Sequence, residues 1–125
     1  MIRVALVDDH TVVRSGLRQF LGEHVDMRVV GEAKNGREAL ELARGGEIDV
    51  MLMDISMPDE SGVDALLAIK QRFPQLPILI LSAFPEEQYA TTLLRQGAAG
   101  YLNKDSAFDE LATAVAIPPG SLVVV

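Results

Sequence analysis

Val50-Met51-Leu52-Met53-Asp54 is the stretch that decides the fold, because an unbroken apolar run ends directly in a carboxylate. A short strand that is apolar throughout, instead of alternating apolar and polar residues, is typical of a parallel sheet covered on both faces. Further short, mainly apolar runs lie at residues 2–7, 27–30, 78–81 and 100–102. The sequence therefore predicts five strands in one parallel sheet.

Stretches with helical spacing of apolar residues follow each of these runs. The second begins with a capping-box pair, Asn35 and Glu38, and is ended by Gly45-Gly46. The other four are predicted at about residues 11–21, 63–73, 85–97 and 106–115. This alternation predicts an α/β domain of flavodoxin-like type: a doubly wound parallel sheet of order 2-1-3-4-5, with helices on both faces and right-handed crossovers.

Composition limits the classes of function. The chain has 125 residues, which fit one domain, and its formal charge of −7 and lack of any basic run argue against nucleic-acid binding by this segment. It contains no Cys, which excludes disulfides and thiolate chemistry. The apolar runs fall short of the ~18 residues that a membrane span needs, so we expect a cytoplasmic chain without membrane contact.

Polar residues follow four of the five predicted strands: Asp8 and Asp9, Asp54, Ser82, and Lys104. Parallel strands end at the same edge of a doubly wound sheet, which is where such domains bind their ligands. Three carboxylates at one edge repel each other unless a cation neutralises them, and an oxygen-rich site with room for water suits Mg²⁺. A carboxylate there could attack a phosphoryl group while the lysine and serine bind its oxygens.

Three short motifs carry a resemblance to a known family: residues 7–10 (VDDH), 53–58 (MDISMP) and 97–102 (GAAGYL). Together with the spacing of the polar residues, they resemble the receiver domains of two-component response regulators over about residues 1–117. In detail they resemble the NarL/FixJ-type (LuxR-class) subfamily. The resemblance implies a phosphorylation switch, which catalyses only its own modification and is not a conventional enzyme.

The resemblance also assigns the phosphorylation and metal residues. It implies that Asp54 is the phosphoacceptor. It implies that Mg²⁺ is bound directly by Asp9, by Asp54 and by the backbone carbonyl of Ser56. Asp8 would act mainly through water molecules around the ion.

The remaining residues of the resemblance concern the response to phosphorylation. Lys104 would pair with a phosphoryl oxygen, Ser82 would bond the new phosphoryl group, and Tyr101 would repack beside it. This would change the surface formed by the fourth helix, the fifth strand and the fifth helix. Many receivers have Pro after the lysine, whereas Asp105 follows here, so the geometry of that loop is left open.

Partners follow from the same resemblance. The phosphodonor would be a sensor histidine kinase or a small phosphodonor, and output would be transcription through a C-terminal helix-turn-helix domain absent from this segment. Receivers of this type often self-associate, so a homodimer is an alternative that the sequence leaves open. His10 and His24 are expected to be surface residues that no pairing marks as metal ligands.

Three competing functions can be compared with individual residues. An FMN-binding flavodoxin needs a Ser/Thr/Gly-rich phosphate loop after the first strand, where this chain has Asp8 and Asp9. A phosphatase of the haloacid dehalogenase type needs a second Asp two residues after the nucleophile, where this chain has Ser56. A degenerate receiver that acts only as a binding module would lack one of the key residues, and all are present.

Residues 118–125 form an atypical tail. Pro118-Pro119-Gly120 ends the last predicted helix, and a β-prone stretch, SLVVV, follows it. We expect a remnant of cloning or a truncation point of a longer protein. The alternative is an extra edge strand or a strand that self-associates.

Overall fold

The structure, a computed structural model, describes residues 2–54, 62–82, 95, 97–103 and 123–124. Within these ranges the elements in chain order are β1 (Ile2–Val7), α1 (Thr11–Gly22), β2 (Met27–Ala33), α2 (Gly36–Arg44), β3 (Val50–Asp54), α3 (Gly62–Arg72), β4 (Ile78–Ser82), β5 (Gly100–Asn103) and β6 (Val123–Val124).

All strand pairings in the sheet are parallel, and the order is β2-β1-β3-β4-β5-β6. The predicted order 2-1-3-4-5 is therefore confirmed. The sheet has a sixth strand that the predicted count of five lacked. This strand lies in the tail and pairs with β5 through Gly100↔Val123 and Tyr101↔Val124. The tail therefore contributes an extra edge strand to the sheet, which was the alternative prediction for these residues.

The first three predicted helices are present as α1, α2 and α3. Asn35 caps α2 as predicted, because its Oδ1 accepts a hydrogen bond of 2.8 Å from the Glu38 backbone N–H. The Glu38 carboxylate accepts from the Lys34 N–H at 3.0 Å instead of from the cap residue itself. The fourth and fifth predicted helices lie outside the described residues, except for helical Arg95 and for Gly97, whose φ of 110° suits the predicted helix end.

The second strand extends to Ala33, three residues beyond the predicted run at 27–30. Its burial alternates, with Arg28, Val30 and Glu32 exposed, and a strand at the edge of the sheet tolerates exposed polar residues such as Glu32. The end of this strand was predicted too early, because we looked only for continuous apolar runs, which are typical of fully buried strands.

Two hydrophobic cores lie on opposite faces of the sheet, because side chains along a strand alternate between the faces. The core between one face and α1 is formed by Val4, Leu6, Leu17, Leu21, Met27, Val50, Leu52, Leu79 and Leu81. The core between the other face and helices α2 and α3 is formed by Ala5, Val7, Ala33, Ala39, Ala43, Met51, Met53, Ala65, Leu66, Ile69, Ile78, Ile80, Ala98 and Tyr101. Helices on both faces confirm the predicted doubly wound arrangement.

The register of the central strands positions the candidate site. β1 pairs with β3 so that Val7 lies beside Met53. The residue that follows each of these is an aspartate, and neighbouring strands lie about 4.8 Å apart. Asp8 and Asp54 therefore meet at the carboxyl edge of the sheet.

A membrane-crossing helix is absent from the part of the chain that the structure describes, since no helix there is long and apolar enough.

Candidate functional site

Two buried carboxylates form the floor of the site. Asp8 follows β1 and Asp54 ends β3, and each is only 1% exposed. The backbone of Asp54 is held within the sheet, because it pairs with Leu81 of β4 while Met53 pairs with Val7 of β1. Burying two like charges side by side is unfavourable unless other charges or hydrogen bonds compensate them. Such an arrangement in a fold is a common mark of a functional site.

Asp9 and His10 lie above this floor, in the loop between β1 and α1. The backbone N–H of His10 donates a hydrogen bond of 2.8 Å to Asp8 Oδ1. The imidazole Nδ1 of His10 lies 3.1 Å from Asp8 Oδ1 and 3.1 Å from Asp9 Oδ1. One ring nitrogen therefore contacts both carboxylates that follow β1.

The loop is anchored to β2 by an arginine. The Arg14 guanidinium donates one hydrogen bond to the backbone carbonyl of Asp8 and another, of 3.1 Å, to Glu32 Oε1. Arg18 donates to the other oxygen of Glu32, and the Asp8 N–H donates to the Ala33 carbonyl at 3.0 Å. These bonds tie the β1–α1 loop to the end of the neighbouring strand and fix the backbone that carries Asp8 and Asp9.

The donor atoms fit a divalent cation. Ligand atoms of Asp8, Asp9, His10 and Asp54 all lie within 4.8 Å of one another. The Oδ1 atom of Asp9 is buried and accepts no hydrogen bond from the described residues. Three carboxylates also bring more negative charge than one imidazole can neutralise. A cation would supply both the missing charge and a partner for the Asp9 oxygen.

The structure brings three of the seven predicted site residues together: Asp8, Asp9 and Asp54. Tyr101 is buried on β5 within the core that faces α2 and α3. The backbone of Ser82 ends β4, but its side chain lies outside the described residues, as do Ser56 and Lys104. Their predicted roles stay predictions.

Two features of this site were not predicted from the sequence. His10 is 62% exposed, as expected of a surface residue, yet its Nδ1 belongs to the group of potential metal ligands. The link between Arg14 and Glu32 was not foreseen at all. The first could have been suspected because His10 directly follows the two aspartates. The second could not, because it depends on how α1 aligns with β2.

The described cavities lie elsewhere. A cavity of about 390 Å³ opens at the opposite, amino edge of the sheet, beside the residues that precede β3 and β4, such as Ile48 and Pro77.

Fold and site together define a doubly wound α/β domain with a cluster of carboxylates, suited to bind a cation, at its ligand-binding edge. Comparison with known families goes further. The sequence model of the family described as "Response regulator receiver domain" matches residues 4–116. The chain therefore belongs to the response regulator receiver domain family, which is a regulatory family, as the sequence motifs indicated.

Relatives of the chain support the subfamily. It is 43% identical over 114 residues to the transcriptional regulatory protein YxjL of Bacillus subtilis, covering 91% of this chain and 52% of YxjL. The chain spans about half the length of the curated relatives it matches.

Solved structures agree with this assignment. The signal receiver domain of NarL from Mycobacterium tuberculosis aligns with a TM-score of 0.84 at 38% identity, covering 91% of this chain and 92% of that one. A LuxR-family two-component response regulator from Aurantimonas aligns with a TM-score of 0.88 at 32% identity, covering 97% and 87%. The chain is thus a receiver of the NarL/FixJ (LuxR-class) type, as predicted.

Proposed function

We propose that this chain is a Mg²⁺-dependent phosphorylation switch of a two-component system and that Asp54 accepts the phosphoryl group. The observation that carries the proposal is the convergence of Asp8, Asp9 and Asp54, whose ligand atoms lie within 4.8 Å of one another at the carboxyl edge of the sheet. Family membership supports the same function.

Asp54 is suited to act as the nucleophile because its backbone is held in the sheet: Asp54 pairs with Leu81 of β4, and the preceding residue, Met53, pairs with Val7 of β1. A carboxylate oxygen of Asp54 attacks the phosphorus atom of a phosphohistidine or a small acyl phosphate. The bond to the donor breaks, its electron pair leaves with the donor, and an acyl phosphate forms on Asp54. The residue acts on its own chain, so the product is the modified domain.

Asp9, Asp54 and the backbone carbonyl of Ser56 would hold Mg²⁺ directly, with Asp8 acting through water. When bound, Mg²⁺ would offset the carboxylate charges and those of the phosphoryl oxygens. The buried position of Asp8 and the anchoring of its carbonyl by Arg14 support this set, because both fix the carboxylates before any ligand arrives.

The response to phosphorylation would involve Ser82, Tyr101 and Lys104. β4 and β5 are neighbours, with Ile80 beside Tyr101 and Ser82 beside Asn103, so Tyr101 lies on the strand next to Ser82, two residues before the position that pairs with it. Phosphorylation would bias an equilibrium between two conformations of this region and of the surface of the fourth and fifth helices.

The partners of the full protein extend this proposal. The donor would be a sensor histidine kinase in the cytoplasm, and the output would be transcription through a DNA-binding domain that follows the receiver. The curated relatives, which are about twice as long as this chain and are called transcriptional regulatory proteins, support that arrangement. Residues 1–117 would form the receiver and residues 118–125 an atypical tail, whose strand β6 pairs with β5. A homodimer would place two output domains side by side.

The proposal is tested by intact-mass spectrometry after incubation with acetyl phosphate, with and without Mg²⁺. We expect one phosphoryl group on the wild type with Mg²⁺ and none on Asp54→Asn. Asp49→Asn is the matched control, since it removes the same charge at the other edge of the sheet, and it should be phosphorylated like the wild type. Equal phosphorylation of Asp54→Asn would contradict the assignment.

If no variant gains mass, a phosphohistidine donor decides between two explanations. Transfer from that donor would show a receiver that accepts phosphate only from its kinase. Failure with both donors would favour the degenerate receiver, a binding module without phosphorylation.

A further inference from the structure

His10 is the one side chain of the described acidic group that is not a carboxylate. It is mostly exposed, so packing does not fix its ring. The described contacts that orient the ring are those of Nδ1, which lies 3.1 Å from Asp8 Oδ1 and 3.1 Å from Asp9 Oδ1. A hydrogen bond to Asp8 Oδ1 explains one contact, but a single Nδ1–H shared by both oxygens would be well aligned with at most one of them.

The spacing of these atoms is that of ligands in one metal shell. With bonds of about 2.1 Å in an octahedral shell, neighbouring ligand atoms lie about 3 Å apart and opposite ones about 4.2 Å apart. The two contacts of Nδ1 match the shorter spacing, and the whole group, within 4.8 Å, is slightly wider than the longer one. A modest contraction would place all four donor atoms around one ion.

The state of the Asp9 carboxylate points to the same place. Its Oδ1 atom lies 3.1 Å from Nδ1 and is buried, but it accepts no hydrogen bond from the described residues. A buried oxygen that accepts no hydrogen bond from these residues is open to an ion. An ion placed between them would be coordinated by both Asp9 Oδ1 and His10 Nδ1.

We propose that His10 is a direct ligand for divalent transition metals in this site and that it sets the metal preference of the domain. The proposal rests on the proposed function, since the carboxylates are shared. Imidazole nitrogen suits ions such as Co²⁺ and Zn²⁺, whereas Mg²⁺ prefers oxygen ligands and keeps water. Mg²⁺ therefore uses the carboxylates alone, and a transition metal adds Nδ1, with the ring proton on Nε2.

The test is direct binding of Co²⁺ and of Mg²⁺ to the metal-free protein by calorimetry, together with the visible spectrum of the Co²⁺ form. Even residues that only support a metal ligand typically change metal affinity by about 10–100-fold. We therefore expect His10→Ala to weaken Co²⁺ binding by roughly tenfold or more and to alter the spectrum, because a nitrogen ligand is lost. Its Mg²⁺ affinity should change by less than about twofold.

Two variants serve as controls. His24→Ala removes the only other histidine of the chain, which lies against Phe20 with Nδ1 3.1 Å from the Phe20 carbonyl oxygen; it should bind Co²⁺ like the wild type. His10→Asn keeps a hydrogen-bonding amide but no imidazole, so it should fail to restore the Co²⁺ affinity. Full recovery in His10→Asn would show that the residue acts through a hydrogen bond and would overturn the proposal.

Equal Co²⁺ affinity and spectra for the wild type and His10→Ala would also overturn it. So would an equal loss of Mg²⁺ and Co²⁺ affinity, since this would mean that His10 only positions the carboxylates. These outcomes are separate from the proposed function, because metal binding is measured without a phosphodonor and phosphorylation is measured with Mg²⁺.

Discussion

Replacing Asp54 by Asn should make the metal-free domain more stable. Asp54 is almost fully buried, and its ligand atoms share a space less than 4.8 Å across with those of two further carboxylates. Asn has nearly the same shape as Asp, so the packing at the end of β3 should be kept. What changes is one negative charge in a cluster of three.

The size of the effect follows from Coulomb's law. Two unit charges at a separation of 4.8 Å repel each other by about 3.5 kcal/mol if the effective dielectric constant is about 20. The His10 ring and the partial exposure of Asp9, whose side chain is 24% exposed, reduce this value. We expect a net gain in the free energy of unfolding of about 1–3 kcal/mol without divalent ions, on the order of 3–10 °C in Tm.

Urea unfolding measures this gain. Circular dichroism is the probe to use, because a chain with no Trp and only 2 Tyr gives little intrinsic fluorescence. Mg²⁺ should stabilise the wild type and have much less effect on Asp54→Asn, since a ligand stabilises the state that binds it. Asp49→Asn is the control: it removes the same charge, but from a residue that is bonded to Arg3, so its stability should not rise.

Two results would refute the reasoning. Asp54→Asn could be no more stable than the wild type in the absence of metal, which would mean that the carboxylates do not repel appreciably. Alternatively, Asp49→Asn could gain as much as Asp54→Asn, which would trace the effect to the net charge of −7 and not to the site. The expected result would instead show that the clustered carboxylates of the site lower the stability of the metal-free domain.

Further predictions concern the surroundings of the site. Arg14→Ala should lower the free energy of unfolding by about 1–2 kcal/mol in urea and weaken Mg²⁺ binding in calorimetry, because the Asp8 carbonyl loses its donor; Arg14→Lys should not restore both bonds, since lysine lacks the planar fork. Asn35→Ala should cost about 1 kcal/mol through the lost cap of α2, and Asn35→Ser should recover most of it. The pKa of Asp49 is lowered by hydrogen bonds from the Arg3 guanidinium and then the Arg3 backbone N–H, so its contribution to stability is present above the unfolded pKa and is lost as pH falls through the folded pKa. Asp49→Asn should therefore make acid unfolding curves less steep in that range, and unchanged curves would count against the pair.

Much of the fold could be predicted because its signal is local. The run that ends in Asp54 is apolar on both faces, and only a doubly covered strand is built this way. The edge strand β2 was predicted too short for the complementary reason. Its exposed residues, such as Glu32, follow from its place in the sheet, which no single stretch of sequence encodes.

The site was predictable in its carboxylates and not in the residues that support them. Asp8 and Asp54 each follow an apolar run, and parallel pairing of the runs brings them together. The bond network of Arg14 and Glu32 joins residues 18 positions apart in the chain, and it depends on the alignment of α1 with β2. The contact of His10 with both carboxylates depends on the loop backbone, which the sequence leaves open.

The central claim is that Asp54 carries the phosphoryl group, and peptide mapping after borohydride reduction tests it most directly. The phosphodonor-treated protein is reduced, which converts an aspartyl phosphate to homoserine, and is then digested and sequenced by mass spectrometry. We expect homoserine at position 54, only after treatment with donor and Mg²⁺. Homoserine at position 8 or 9, or phosphate on a residue other than an aspartate, would contradict it.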